Sequence, residues 1–203
     1  GYFAGRIDEA RIWNVALSQS TIVSNMSQEI TSGTGLIGRW GLNNGSGTSA
    51  TNSVAGSPNG TLTNGPTWVT GQTFPNEPWA LQLNGTSNFV NFGSAPGLAT
   101  QTYTVETWFK RTGTGAAVST GTNGIAMIPL VAKGAPETDG SAVDANYILG
   151  IYSATNVIAA DFEEGTGSVS PGLNHPLIGT TVIQNNVWYH AAVTFSSTGE
   201  YKL

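Results

Sequence analysis

Apolar and polar side chains alternate in short runs along most of this chain, and stretches rich in Gly, Asn, Ser and Thr separate the runs. A period of two is the spacing of a strand with one face buried. Residues 103–110 show it most clearly, with Tyr103, Val105, Thr107 and Phe109 on one side and Thr104, Glu106, Trp108 and Lys110 on the other. Residues 187–195 put Tyr189, Ala191, Val193 and Phe195 on one face. Near the start, residues 5–14 alternate as Ile7, Glu9, Arg11 and Trp13 against Asp8, Ala10 and Ile12. Further strands are expected over 35–42, 80–83, 88–92, 147–152 and 157–162, with short edge pieces at 60–62 and 67–69. The stretch between 110 and 147 reads as a long loop. A single short helix is predicted after Leu17, where Ser18 can cap and Ile22, Met26 and Ile30 recur at i, i+4 and i+8.

Short strands separated by turn-rich spacers predict an all-β fold, a two-sheet antiparallel jelly-roll sandwich with one short helix. Three segments are expected: a strand and helix over 1–30, a loop-rich stretch with short strands and a linker at 75–78 over 31–78, and a dense strand region over 79–203.

Composition narrows the partners. Only 9% of residues are charged and the formal net charge is -5. Nucleic acid demands clustered Lys and Arg, and seven scattered basic residues supply no such patch. No apolar run approaches the ~20 residues of a membrane-spanning helix. The absence of cysteine removes disulfides, zinc–thiolate sites and thiol nucleophiles together. Residues 1–5 lead straight into a strand pattern with no secretory leader, so the sequence reads as an excerpt.

Candidate chemistry concentrates in one window. Glu137, Asp139, Asp144, Asp161, Glu163 and Glu164 are six of the twelve acidic residues, and a Gly turn follows Asp139. Hard oxygen donors of this kind suit calcium, which takes six to eight oxygens. The alternative is a solvated acidic loop, or carboxylates tied to backbone amides. Trp108, between Glu106 and Lys110, offers either a sugar-stacking platform or a scaffold ring lidded by the helix. His175 offers either a rim ligand or a loop lock, whereas His190 reads as a structural strand residue. Asp8, Glu9 and Arg11 are expected to form an internal charge network, because charges inside a sandwich must be paired.

Taken together, residues 5–14 followed by Ala16-Leu17-Ser18, then 36–40, 80–85, 103–109 and 188–195, resemble laminin-G-like jelly rolls of the concanavalin A-like lectin/glucanase type. By this resemblance residues 5–14 correspond to the strand that closes such a module, residues 36–62 to the segment that often joins modules, and residues 79–203 to its opening and middle strands. Residues 1–14 are therefore expected to pair into the sheet built by 80–203, within the chain or between neighbouring copies. The resemblance implies an extracellular or cell-surface, non-catalytic binding module for glycan or surface polymer, occurring in tandem, with calcium on its rim loops. The alternatives are a structural repeat of a fibre or stalk that self-associates through unpaired sheet edges, and an accessory domain of a secreted hydrolase. Glycosidases of this fold carry a Glu pair at i and i+4 with an Asp between. Asp161 and Glu163 do not complete it, since Gly165 follows.

Overall fold

The computed structural model describes residues 1–74, 77–135, 144–165 and 168–203. In chain order the elements are β1 (Ala4–Trp13), α1 (Gln19–Asn25), β2 (Leu36–Trp40), β3 (Ser49–Ala50), β4 (Gly60–Thr63), β5 (Thr67–Phe74), β6 (Glu77–Asn84) and β7 (Phe89–Asn91). There follow β8 (Tyr103–Arg111), β9 (Val118–Ser119), β10 (Ala126–Lys133), β11 (Tyr147–Tyr152), β12 (Val157–Asp161), β13 (Leu177–Val182), β14 (Trp188–Phe195) and β15 (Tyr201–Lys202). All-β architecture with antiparallel sheets and a single helix is what the alternation predicted. Strands also lie where the sequence reads as loop or linker: β9 and β10 occupy the supposed loop before residue 147, β13 lies between two expected strands, and β6 begins at Glu77, pairing back to β5.

One layer is a seven-stranded sheet ordered β15-β14-β8-β1-β6-β5, with β2 also paired to β1. The facing layer consists of a five-stranded sheet, β13-β12-β11-β10-β9, and a three-stranded sheet, β3-β4-β7. Val105, Phe109, Val193, Leu149, Ile151 and Leu81 are buried in the core between the layers. β1 sits at the centre: its first half lies between β6 and β8, and its second half lies between β2 and β8.

β1 departs from the simple alternation. Asp8 stands opposite Trp108 and Arg11 opposite Glu106, so Glu9 and Ala10 together face Thr107 across a bulge. Glu9 takes a left-handed conformation, φ 49°, as a bulge residue can. The extra residue reverses the phase of the strand. Ile7 therefore joins Ala10 and Ile12 in the core, and Glu9, Arg11 and Trp13 occupy the outer face without it.

On that outer face the charges pair. Glu9 Oε2 accepts from Arg11 Nη2 at 2.7 Å and from Arg39 Nε at 3.2 Å. Glu106 Oε1 accepts from Trp13 Nε1 at 2.9 Å, and His190 Nε2 stands 3.2 Å from Glu106 Oε2. Arg11 also donates to the carbonyls of Asn25 and Gln28, and Trp108 Nε1 donates to Met26 O at 2.6 Å. α1 buries no residue of its own. Its C-terminal turn is held down by these donors, which reach the carbonyls at the helix end. Ser18 caps the other end, accepting from Thr21 N at 3.2 Å.

Burial alone would raise the Glu106 carboxyl pKa, but the His190 hydrogen bond and the Arg11 charge hold it below its ordinary value. A carboxylate with a depressed folded pKa stabilises the fold above its unfolded pKa, and that stabilisation is lost as pH falls through the folded value. Wild type is therefore expected to lose stability on acidification, and Glu106→Gln to show a shallower acid limb in urea titrations repeated between pH 3 and 7. In the same assay at pH 7, Arg11→Met leaves buried carboxylates short of a partner and is expected to cost about 3–5 kcal/mol. Glu29→Gln, which loses only a half-exposed contact to Arg39, should stay within about 1 kcal/mol.

Candidate functional site

At one end of the sandwich, loops from four parts of the chain converge on a cavity of about 470 Å3. Residues 100–102 enter from the turn before β8, Asn146 precedes β11, residues 162–165 leave β12, and residues 196–199 connect β14 to β15. The loops are tied to one another by polar bonds. Thr100 N donates to Asn146 Oδ1 at 3.0 Å, and Asn146 Nδ2 donates back to Thr100 O at 3.0 Å. Glu163 N donates to Ala145 O at 2.9 Å, and His175 N donates to Phe162 O at 2.9 Å.

Phe162 is the hub of the aromatic wall. Its ring stacks on His175 at 4.6 Å between centroids and 17° between planes. Phe195 lies 4.9 Å away and Tyr201 5.3 Å away. Tyr103 continues the column to Phe195 and to Tyr147. Burial pushes the phenol pKa values of Tyr103, Tyr147 and Tyr201 above their ordinary range, and Tyr147 Oη donates to Leu98 O at 3.0 Å.

The acidic residues have separate tasks. Glu164 Oε1 accepts from His175 Nε2 at 2.9 Å and Oε2 from Ser170 N at 3.0 Å. These bonds, His175 first, hold the Glu164 carboxyl below its ordinary pKa, so it is ionised at neutral pH. The pair fixes the plane of His175, whose side chain keeps about a third of its surface exposed. Asp161 is fully buried, and its Oδ2 accepts from Thr120 Oγ1 at 2.6 Å. Burial raises its carboxyl pKa, with the Thr120 hydroxyl opposing. Glu163 is buried beside Ala145 and bridges to Asn174 in the backbone. Asp144 lies across from Gly165, where a Cβ would stand 3.0 Å from its carboxylate oxygen.

Of the residues singled out in the sequence, Glu163 lines this cavity, Asp144 stands beside its wall at Gly165, His175 stacks on its Phe162, and Asp161 is buried under Thr120. Glu137 and Asp139 lie outside the described residues. Trp108 stands apart, on the outer face of β8 beneath α1, with its ring 5.4 Å from that of His190. Among the described residues no three acidic or histidine side chains come together in a group able to hold a metal ion. The alternation did not single out Phe162, Thr100 or the serines at 196 and 197. Phe162 immediately follows a strand and precedes the acidic pair, and an aromatic at a strand exit beside carboxylates is the signal that could have found it.

A laminin-G-type family model, described as the Concanavalin A-like lectin/glucanases superfamily, matches residues 84–203, more than half of the chain. No curated protein and no solved structure matches.

The burial of Asp161 yields a pH test. A carboxyl whose folded pKa is raised favours the fold below its unfolded pKa, and this advantage fades as pH rises through the folded value. Asp161→Asn keeps an acceptor for Thr120 and carries no charge. Its melting temperature relative to wild type is therefore expected to rise from pH 3 to pH 8, measured by thermal denaturation across that range.

Proposed function

We propose that this chain, which belongs to the Concanavalin A-like lectin/glucanases superfamily, is an extracellular, non-catalytic module that holds a glycan at the rim between residues 100–102, 146, 162–165 and 196–199. One observation carries the reading: a single cavity is lined by Phe162, whose ring is stacked on the part-exposed His175 beyond the lining, together with amide, hydroxyl and carboxylate groups. Sugars present apolar C–H faces and rings of hydroxyls, and a flat ring beside fixed hydrogen-bonding groups meets both. Glu164 acts by fixing His175.

The non-catalytic part of the proposal rests on the carboxylates. Retaining glycosidases need two carboxyl groups about 5–5.5 Å apart across the scissile bond. Here Asp161 is sealed under Thr120 and Glu164 is committed to His175 and Ser170, and the Glu pair of glucanase relatives is missing from the sequence. No reducing ends are expected on incubation with laminarin-type glucans; measurable release of them overturns this part.

A glycan array tests the binding itself. Wild type is expected to retain a defined set of oligosaccharides, and His175→Ala to weaken them about tenfold, the equivalent of about 1.4 kcal/mol, with an unchanged melting curve. An array with no retained glycan refutes the proposal, and so does full binding by His175→Ala. Calcium is a separate proposal. It would draw Asp144 together with Glu137 and Asp139 of the same sequence window, and a rise in melting temperature with added calcium, reversed by EDTA, is the expected result.

A further inference from the structure

Five Asn-Gly pairs occur in the chain, at 44–45, 59–60, 64–65, 84–85 and 123–124. Such a pair carries a reaction of its own. The backbone nitrogen of the glycine attacks the side-chain carbonyl carbon of the asparagine, because no Cβ on the glycine stands in the way. A C–N bond forms and the C–N bond to the side-chain amine breaks. The amine leaves as ammonia, carrying the proton lost from the backbone nitrogen. Water then opens the five-membered imide at either carbonyl, giving aspartate or isoaspartate. All five asparagines are exposed, so access does not separate them. Hydrogen bonding does separate them.

Four of the five side chains are held. Asn44 Nδ2 donates to Thr51 Oγ1 at 2.6 Å, and its Oδ1 accepts from Thr51 N at 3.1 Å. Asn59 Oδ1 accepts from Asn52 N at 2.9 Å, and Gly60 is buried in β4. Asn64 Nδ2 donates to Ser87 O at 3.0 Å. Asn84 Oδ1 accepts from the amides of Thr86, Ser87 and Asn88, each at 3.0 Å, while its Nδ2 donates to Ser87 Oγ. Every such bond resists the rotation that brings the carbonyl carbon onto the next nitrogen. Among the described residues, the Asn123 side chain makes no hydrogen bond. Its attacking nitrogen is tied by one backbone bond, from Gly124 N to Gly121 O at 3.2 Å.

Packing requires the glycine at 124. Asn123 takes a left-handed conformation, φ 60°, which asparagine tolerates better than most residues. The turn closes where Thr120 N donates to Ile125 O at 2.9 Å and Ile125 N donates to Thr120 Oγ1 at 2.7 Å. A Cβ on Gly124 would stand 2.1 Å from that same Oγ1, the hydroxyl that donates to Asp161. The fit that seals Asp161 thus demands the residue that makes Asn123 reactive.

We propose that Asn123 is a modification site, deamidating spontaneously in the folded chain through an imide closed by Gly124 N, ahead of the other four asparagines. Either product puts a carboxylate on an exposed turn. The isoaspartyl product also lengthens the backbone of that turn by one carbon, beside Thr122, whose carbonyl accepts from Asn174 Nδ2 at 3.0 Å. Asn123 is not part of the rim cavity lining, and the proposal does not rest on glycan binding.

Ageing the whole chain in mildly alkaline oxygen-18 water tests it, once folded and once in urea, with the five Asn-Gly peptides followed by mass spectrometry after digestion. In urea the five pairs are expected to convert at like rates. Folding is expected to slow Asn44, Asn59, Asn64 and Asn84 at least about fivefold more than Asn123, the factor that one net hydrogen bond supplies. The converted Asn123 peptide should carry one oxygen-18 and include the isoaspartyl isomer. Asn123→Gly, which suits the left-handed backbone, is expected to abolish the change in that peptide and leave the other four rates as they were. The proposal is overturned if any of the other four converts as fast as Asn123 in the folded chain, or if Asn123 does not convert there. It is also overturned if aspartate forms at 123 without isoaspartate, since direct hydrolysis without the imide gives that result.

Discussion

The bulge at Glu9 and the ion cluster it creates are the constraint on which the sheet depends. A strand holding its phase through residues 7–13 would put either Ile7 or Ala10 and Ile12 on the outer face, and the charged residues among the core side chains. One extra residue resolves the conflict. Ile7, Ala10 and Ile12 then share the core, and Glu9 and Arg11 meet Arg39 of β2 and Glu106 of β8 on the far side. Buried ions are costly alone and tolerable only with every partner present. The cluster therefore ties three strands distant in sequence to one register. It also explains how a seven-residue helix with no buried residue stays in place: Arg11 and Trp108 hold its C-terminal carbonyls.

Legibility in the sequence followed how regular each strand is. β8 and β14 alternate without interruption, pair residue for residue from Tyr103–Phe195 to Lys110–Trp188, and could be read directly. β1 was legible as a strand, but its faces were not, because a bulge leaves no mark on composition when the bulged residue is Glu rather than Gly. β10 was hidden for two reasons. Its run Ala126-Met127-Ile128-Pro129-Leu130-Val131 is apolar throughout rather than alternating, and Pro129 argues against a strand. Both features make sense at a sheet edge that covers apolar side chains on each face.

The rim was legible in part for a related reason. Carboxylates crowded into one window of sequence can be seen at once, and Glu163 lines the cavity, but among the described residues these side chains form no group able to hold a metal ion. Their tasks could not be seen, because these depend on Thr120, Phe162, Ser170 and Asn174, which come from other turns. Asp161 illustrates the difference: the same carboxyl that looks like a metal ligand in sequence is sealed by Thr120 from a distant loop. The aromatic column from Tyr147 through Tyr103, Phe195 and Phe162 to His175 carries core packing out to the surface, so the exposed ring is positioned by buried neighbours.

The low charge of the chain bears on how its sheet edges behave. Proteins usually blunt open edges with charged residues, proline or cover, because an unpaired edge recruits other strands. With 9% charged residues there is little charge to spend on this, and most of the arginines are already committed: Arg11 and Arg39 to the ion cluster, Arg111 to Asn156 and the carbonyls of Gly113 and Thr114. The β13 edge is left with Ile178 and Val182 half exposed. The β10 edge has Pro129 at one end and Lys133 at the other, and Lys133 is turned to Ser94 O, in the segment after β7. That lysine ties two segments together instead of guarding the edge against pairing.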